Sequence, residues 1–147
     1  MPALLSLSPY LVCRNAAAAV DFYRDAFAAE EVFRMTDPAD GRIGHAELKI
    51  AGALVMIADE YPDFGAISPD TLGGTAVTLH LATDDADAAT ARAQRAGALV
   101  LRPPATQSFG ERSAIVLDPF GHRWMLSQNV EALTPAEMQR RWSEQGA

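Results

Sequence analysis

Few side chains in this sequence can do chemistry, and two of them stand two residues apart. The chain has three histidines, His45, His80 and His122, and a single cysteine, Cys13. His45 and Glu47 alternate with Ala46 in an apolar-polar run, so on a β-strand they share one face. An imidazole beside a carboxylate can move protons or contribute to a metal site. Arg112 offers a planar fork for an anionic group, or a salt bridge to Glu47. Cys13 follows Val12 in an apolar stretch and reads as a buried strand residue. His122 lies in a Phe-Gly-His turn and reads as a surface turn residue. No phosphate-cradling glycine loop, nucleophile elbow or paired-cysteine motif is present.

The elements that must position these residues come in two copies. The stretch Gly44 to Met56 recurs in outline 69 residues later as Ser113 to Met125, with Gly52 matching Gly121 and Met56 matching Met125. Each copy reads as strand, glycine turn and strand, preceded by an alanine-rich helix. In the first, Leu4 to Cys13 reads as a strand and Asn15 as a helix cap. Val20, Tyr23 and Phe27 form a helical stripe, and Glu31 to Met35 a second strand. Asp37 to Gly41 is a turn, and a hairpin joins Ile43–Ile50 to Ala53–Asp59. Residues 60–74, rich in Pro, Gly and Asp, read as linker.

The second copy opens at Thr75–Ala82, and its helix runs from Asp84 and Asp85 to Gly97. A strand over 98–101, a loop over 103–111 and a hairpin of Ser113–Leu117 with His122–Gln128 follow. Thr134-Pro-Ala-Glu137 is a capping box that opens a terminal helix. The expected fold is α+β: two tandem βαβββ units forming a curved mixed sheet around a cleft, plus a C-terminal helix. The units fall at 1–60 and 75–130, with linker at 61–74 and helix and tail at 131–147.

Composition narrows the function. Apolar residues are 49% and charged residues 21% of the chain, as in ordinary globular proteins. A net charge of −7 argues against a nucleic-acid partner. No apolar run approaches the roughly 20 residues of a membrane span. With one cysteine and no export signal, a cytoplasmic setting is expected.

This element order, with Phe22-Tyr23 and Asp118-Pro-Phe-Gly-His-Arg-Trp124, resembles the vicinal-oxygen-chelate superfamily, which includes glyoxalase I, extradiol dioxygenases and bleomycin-resistance proteins. Ser8-Pro-Tyr10, His45-Ala-Glu47, Ile50-Ala-Gly52 and Phe120-Gly121 with Trp124-Met125 look most like its PhnB-like branch. The resemblance implies a cleft lined by Tyr10, His45, Glu47, Met56, Thr78, His80, Arg112 and Met125. On this reading Ala46, Leu48, Ile50, Val55 and Ile57 pack on the first helix. By the same strand alternation Ile115, Leu117, Trp124 and Leu126 pack on the second, leaving Arg112, Ala114, Val116, Arg123, Met125 and Ser127 toward the cleft.

The superfamily's metalloenzymes take His or Glu ligands from four places, which fall here on Ser8, Met56, Thr78 and Met125. Two thioethers and two hydroxyls do not hold a hard divalent ion. The expectation is therefore a metal-free protein with no cofactor, binding a small organic molecule. The alternative is a metal-dependent, glyoxalase-like lyase or isomerase using a displaced His45, Glu47 and His80 site. A scaffold without ligand has no feature in its favour. The resemblance also implies a homodimer, and Trp142, beside Arg140 and Arg141 in the terminal helix, reads as packing on a neighbouring subunit rather than on a ligand.

Overall fold

The computed structural model describes residues 1–145. It divides into two compact units, Met1–Thr75 and a second beginning at Ala76. The first contains β1 (Tyr10–Cys13), α1 (Ala16–Phe27), β2 (Glu30–Thr36), β3 (Ile43–Ile50), β4 (Ala53–Asp59) and the short α2 (Pro69–Leu72). The second contains β5 (Thr78–Ala82), α3 (Ala86–Ala96), β6 (Leu99–Thr106), β7 (Glu111–Leu117), β8 (Arg123–Asn129) and α4 (Pro135–Gln145). The sheets are ordered β1-β4-β3-β2 and β5-β8-β7-β6. In each, the opening strand runs parallel to the closing strand and the other pairs are antiparallel. These are two βαβββ units of an α+β protein, with a C-terminal helix.

The helices α1 and α3 are each started by their own cap and by the end of their unit's closing strand. Asn15 Oδ1 accepts from Ala18 N at 3.1 Å, and buried Asp59 Oδ1 accepts from Ala16 N at 2.8 Å. Asp59 Oδ2 also accepts from Ile43 N at 2.7 Å, so one carboxylate ties α1, β3 and β4 together. In the second unit Asp85 caps Ala88 N, and Gln128 Oε1 accepts from Ala86 N at 3.0 Å. Asp59 and Gln128 lie 69 residues apart and serve the same end, satisfying a first-turn amide that the helix leaves unpaired. Ala16, Ala19, Val20, Phe22 and Tyr23 are buried on α1, against Ala46, Leu48, Val55 and Ile57 of the sheet.

Four expectations need correction. The first strand begins at Tyr10, and Leu4, Leu5 and Leu7 stay exposed. Pro9 has no amide to give the ladder, although its carbonyl accepts from Met56 N at 3.0 Å. Likewise β5 begins at Thr78, not Thr75.

The expected 103–111 loop shrinks to 107–110, since β6 runs to Thr106 and β7 begins at Glu111. β6 carries Pro103 and Pro104 because it is an edge strand with register shifts on both sides of Arg102. Residues 60–74 form structure rather than bare linker. Tyr61 bridges Ala66, a 3₁₀ turn covers Pro62–Phe64, and Ser68 and Thr71 both donate to Glu60.

The fourth correction concerns which way β7 faces. Val116 pairs with Trp124 and Ala114 with Leu126, so these four share the helix side. Ile115 and Leu117 pair with Met125 and Arg123 on the opposite side. The cause is one extra residue in the second turn. Ile50 pairs with Ala53 around two turn residues, whereas Asp118 N bonds His122 O around three. That insertion leaves the 69-residue offset intact along β8 and breaks it along β7.

Candidate functional site

Register builds a polar row across the first sheet. Tyr10 on β1 pairs with Met56 on β4, Met56 with Glu47 on β3, and Glu47 with Phe33 on β2. All four lie opposite the helix side. The next row carries Val12 beside Ala58 and His45 beside Met35. His45 therefore reaches two groups at once. Its Nε2 lies 2.8 Å from Glu47 Oε2 and its Nδ1 lies 2.7 Å from Tyr10 Oη.

With Glu47 ionised and the imidazole in its neutral Nε2–H tautomer, His45 donates to Glu47 through Nε2 and accepts the Tyr10 hydroxyl at Nδ1. Burial, and next to it the charge of Glu47, raise the Tyr10 pKa above the ordinary phenol value. Phe33 walls the imidazole from one side, its ring centre 5.8 Å away.

Beside this relay the first unit holds a cavity of about 610 Å³. Tyr10 and Val12 of β1 and Ala58 of β4 line it, with Met35 and Thr36 from the end of β2, Asp37 from the turn, and Gly44. Tyr61, Phe64 and Ala66 close it from the segment after β4. Tyr61 Oη donates to Asp37 Oδ2 at 3.1 Å, while Asp37 Oδ1 accepts from Ala39 N at 2.9 Å. Burial, then the bond to Asp37, raises the Tyr61 pKa. The Arg42 guanidinium lies 3.9 Å from the Tyr61 ring centre and is itself bonded to Asp40 and to the Glu60 carbonyl.

Of the eight residues expected to line a site, Tyr10 lines this cavity, His45 and Glu47 stand behind it, and Met56 lies between Tyr10 and Glu47 in the sheet. Thr78, His80 and Met125 share a face of the second sheet, where His80 pairs with Met125. Arg112 does not join them. It lies on the helix side and binds Asp87 of α3 through two bonds, at 2.8 and 2.9 Å. Neither expected partner, Glu47 or a ligand on the cleft face, is what it meets.

Asp37, Tyr61 and Phe64 escaped the sequence reading because they sit in a turn and an apparent linker, and Met35 because no face was assigned to the strand that carries it. Two aromatics among the prolines and glycines of 60–66 were the signal available.

The residues present do not suit a metal ion. Met56 and Met125 offer soft, uncharged thioethers, and Ser8 and Thr78 weakly donating hydroxyls. Both nitrogens of His45 are engaged within the relay. Among the described residues no group of three or more His, Cys, Asp or Glu side chains is placed to hold an ion.

Comparison with known proteins gives concordant relatives. The family model described as the Glyoxalase/Bleomycin resistance protein/Dioxygenase superfamily matches residues 5–126. An uncharacterized protein of Mycobacterium bovis is 44% identical over 144 residues, covering 96% of this chain and 94% of its own. The X-ray structure of a gene product from Arabidopsis thaliana is similar at a TM-score of 0.69 and 29% identity, covering 85% of this chain and 99% of that one. A glyoxalase/bleomycin resistance protein/dioxygenase from Nocardioides shares the fold at a TM-score of 0.68 and 21% identity, covering 92% of this chain and 89% of that one.

Proposed function

The chain belongs to the glyoxalase/bleomycin resistance protein/dioxygenase superfamily, and we propose that within it this protein binds a small organic molecule without a metal ion. The observation that carries this reading is the first-unit cavity. At about 610 Å³ it has the size of a small-molecule site, largely apolar with a few convergent polar groups. The unsuitable donors at Ser8, Met56, Thr78 and Met125 support the metal-free part. The engaged nitrogens of His45 speak against the displaced His45, Glu47 and His80 site. We place the protein in the PhnB-like branch on its Ser8-Pro-Tyr10 and His45-Ala-Glu47 motifs, and in the cytoplasm on its lone buried cysteine.

The test uses a neutral apolar dye, N-phenyl-1-naphthylamine, on protein purified without chelator. Dye fluorescence should rise saturably. Ala66→Trp, which puts an indole into the cavity mouth, should abolish the rise while circular dichroism stays unchanged. Elemental analysis should show no stoichiometric Ni, Zn, Fe or Mn. Equal dye binding by the variant would remove the cavity as the site. A bound ion whose chelation stops binding would overturn the metal-free reading.

A further inference from the structure

With His45 in its neutral Nε2–H tautomer both phenol protons at the cavity are committed, Tyr10 to His45 and Tyr61 to Asp37. The Tyr10 and Tyr61 oxygens are therefore left as acceptors, beside a carboxylate that can only accept. Thr36 adds one further hydroxyl. None of the lining residues is a Lys, Arg or His. The Arg42 guanidinium stacks on Tyr61 and feels the Asp37 charge, but its hydrogen bonds go to Asp40 and the Glu60 carbonyl. Glu47 adds a second negative charge behind Tyr10.

The apolar part of the lining has a matching character. Tyr10, Tyr61 and Phe64 bring three aromatic rings and Met35 a polarisable thioether. Ring faces carry negative electrostatic potential and attract cations. Together, a carboxylate, three rings and no basic lining residue suit a positively charged guest and oppose an anionic one.

We propose that the ligand of this cavity is an organic ammonium ion on an apolar body, its nitrogen paired with Asp37 among the Tyr10, Tyr61 and Phe64 rings. The proposal rests on the cavity being the binding site, as set out above. It adds the charge and donor character of the ligand, and it assigns Asp37 as the residue that determines specificity. His45 and Glu47 act through Tyr10 as positioning residues, fixing its proton away from the cavity.

Three probes of one shape test it, each displacing N-phenyl-1-naphthylamine at pH 7: 4-phenylbutylamine, 4-phenylbutan-1-ol and 4-phenylbutanoate. The amine should bind about tenfold tighter than the alcohol or better, with the carboxylate weakest. In Asp37→Asn the amine's advantage should largely vanish while the alcohol keeps its affinity, which also reports that the variant is folded. Alcohol or carboxylate binding as tightly as the amine would overturn the ammonium assignment, as would an amine preference that survives Asp37→Asn. Dye binding that none of the three displaces would also overturn it while leaving the cavity reading standing. Failure of the dye itself to bind would remove the cavity reading, and this proposal with it.

Discussion

Tyr10 keeps its proton for two reasons of unequal weight. Burial disfavours the phenolate first, and the neighbouring Glu47 charge adds to it. In a ¹³Cζ-tyrosine NMR titration, Tyr10 should therefore ionise above the usual value of about 10. Glu47→Gln should bring it back part of the way only, because burial remains. The sign for stability follows. A phenol whose folded pKa is raised contributes stability that is fully present below the unfolded value and lost as pH rises through the folded one. Tyr10 should thus weaken the fold only in alkali. Ionisation of Tyr10 at the ordinary value in the folded protein would show that it is not buried beside Glu47 in solution.

Turns, more than helices or strands, carry the element-scale constraints. Gly110 joins β6 to β7 at φ +92°, and its carbonyl accepts from Val130 N and Glu131 N beyond the end of β8. A Cβ added there would lie 2.7 Å from the Glu131 carbonyl oxygen, which is backbone and cannot step aside. Gly52 in the first hairpin has φ +80° with nothing within 4 Å of an added Cβ. Gly52→Ala should therefore cost only the backbone strain, about 1 kcal/mol. Gly110→Ala should cost about 2–3 kcal/mol, since steric displacement adds to it. Urea melts of both variants check the order, and equal losses would mean that the contact at Gly110 yields. Elsewhere in the second unit, Glu137 accepts from Arg140 and Arg141 of α4, and these bonds hold its carboxyl down to about 2.

For the whole molecule, the edge strands β2 and β6 carry unfinished apolar surface. Val32, Phe33 and Met35 on β2 are 52%, 41% and 55% exposed, and Leu99 and Leu101 on β6 are 61% and 45% exposed. Apolar, unpaired edges invite association. We propose that a second copy of the chain covers them. Light scattering at micromolar concentration should give twice the 15.7 kDa chain mass. Val32→Lys with Leu99→Lys should lower it to one chain. A single-chain mass for the unaltered protein would rule the dimer out.

The amino-acid sequence alone determined the duplication, the element order and most faces. Alternation and helical spacing are local, and the matched glycines and methionines carry them from one copy to the other. It also placed Cys13 and Trp124 in the core, where both are buried, with Trp124 Nε1 donating to Asp118 Oδ2 at 2.9 Å. Only the tertiary structure decided three things. Pairing register set the direction of Arg112, because one extra residue in the Asp118–His122 turn reverses every β7 side chain. The edge position of β6 let Pro103 and Pro104 stand in a strand. The return of residues 60–72 onto the sheet brought Tyr61 and Phe64 beside Tyr10 and Asp37. Each depends on which backbone lies next to which, and no local pattern encodes a neighbour distant in sequence.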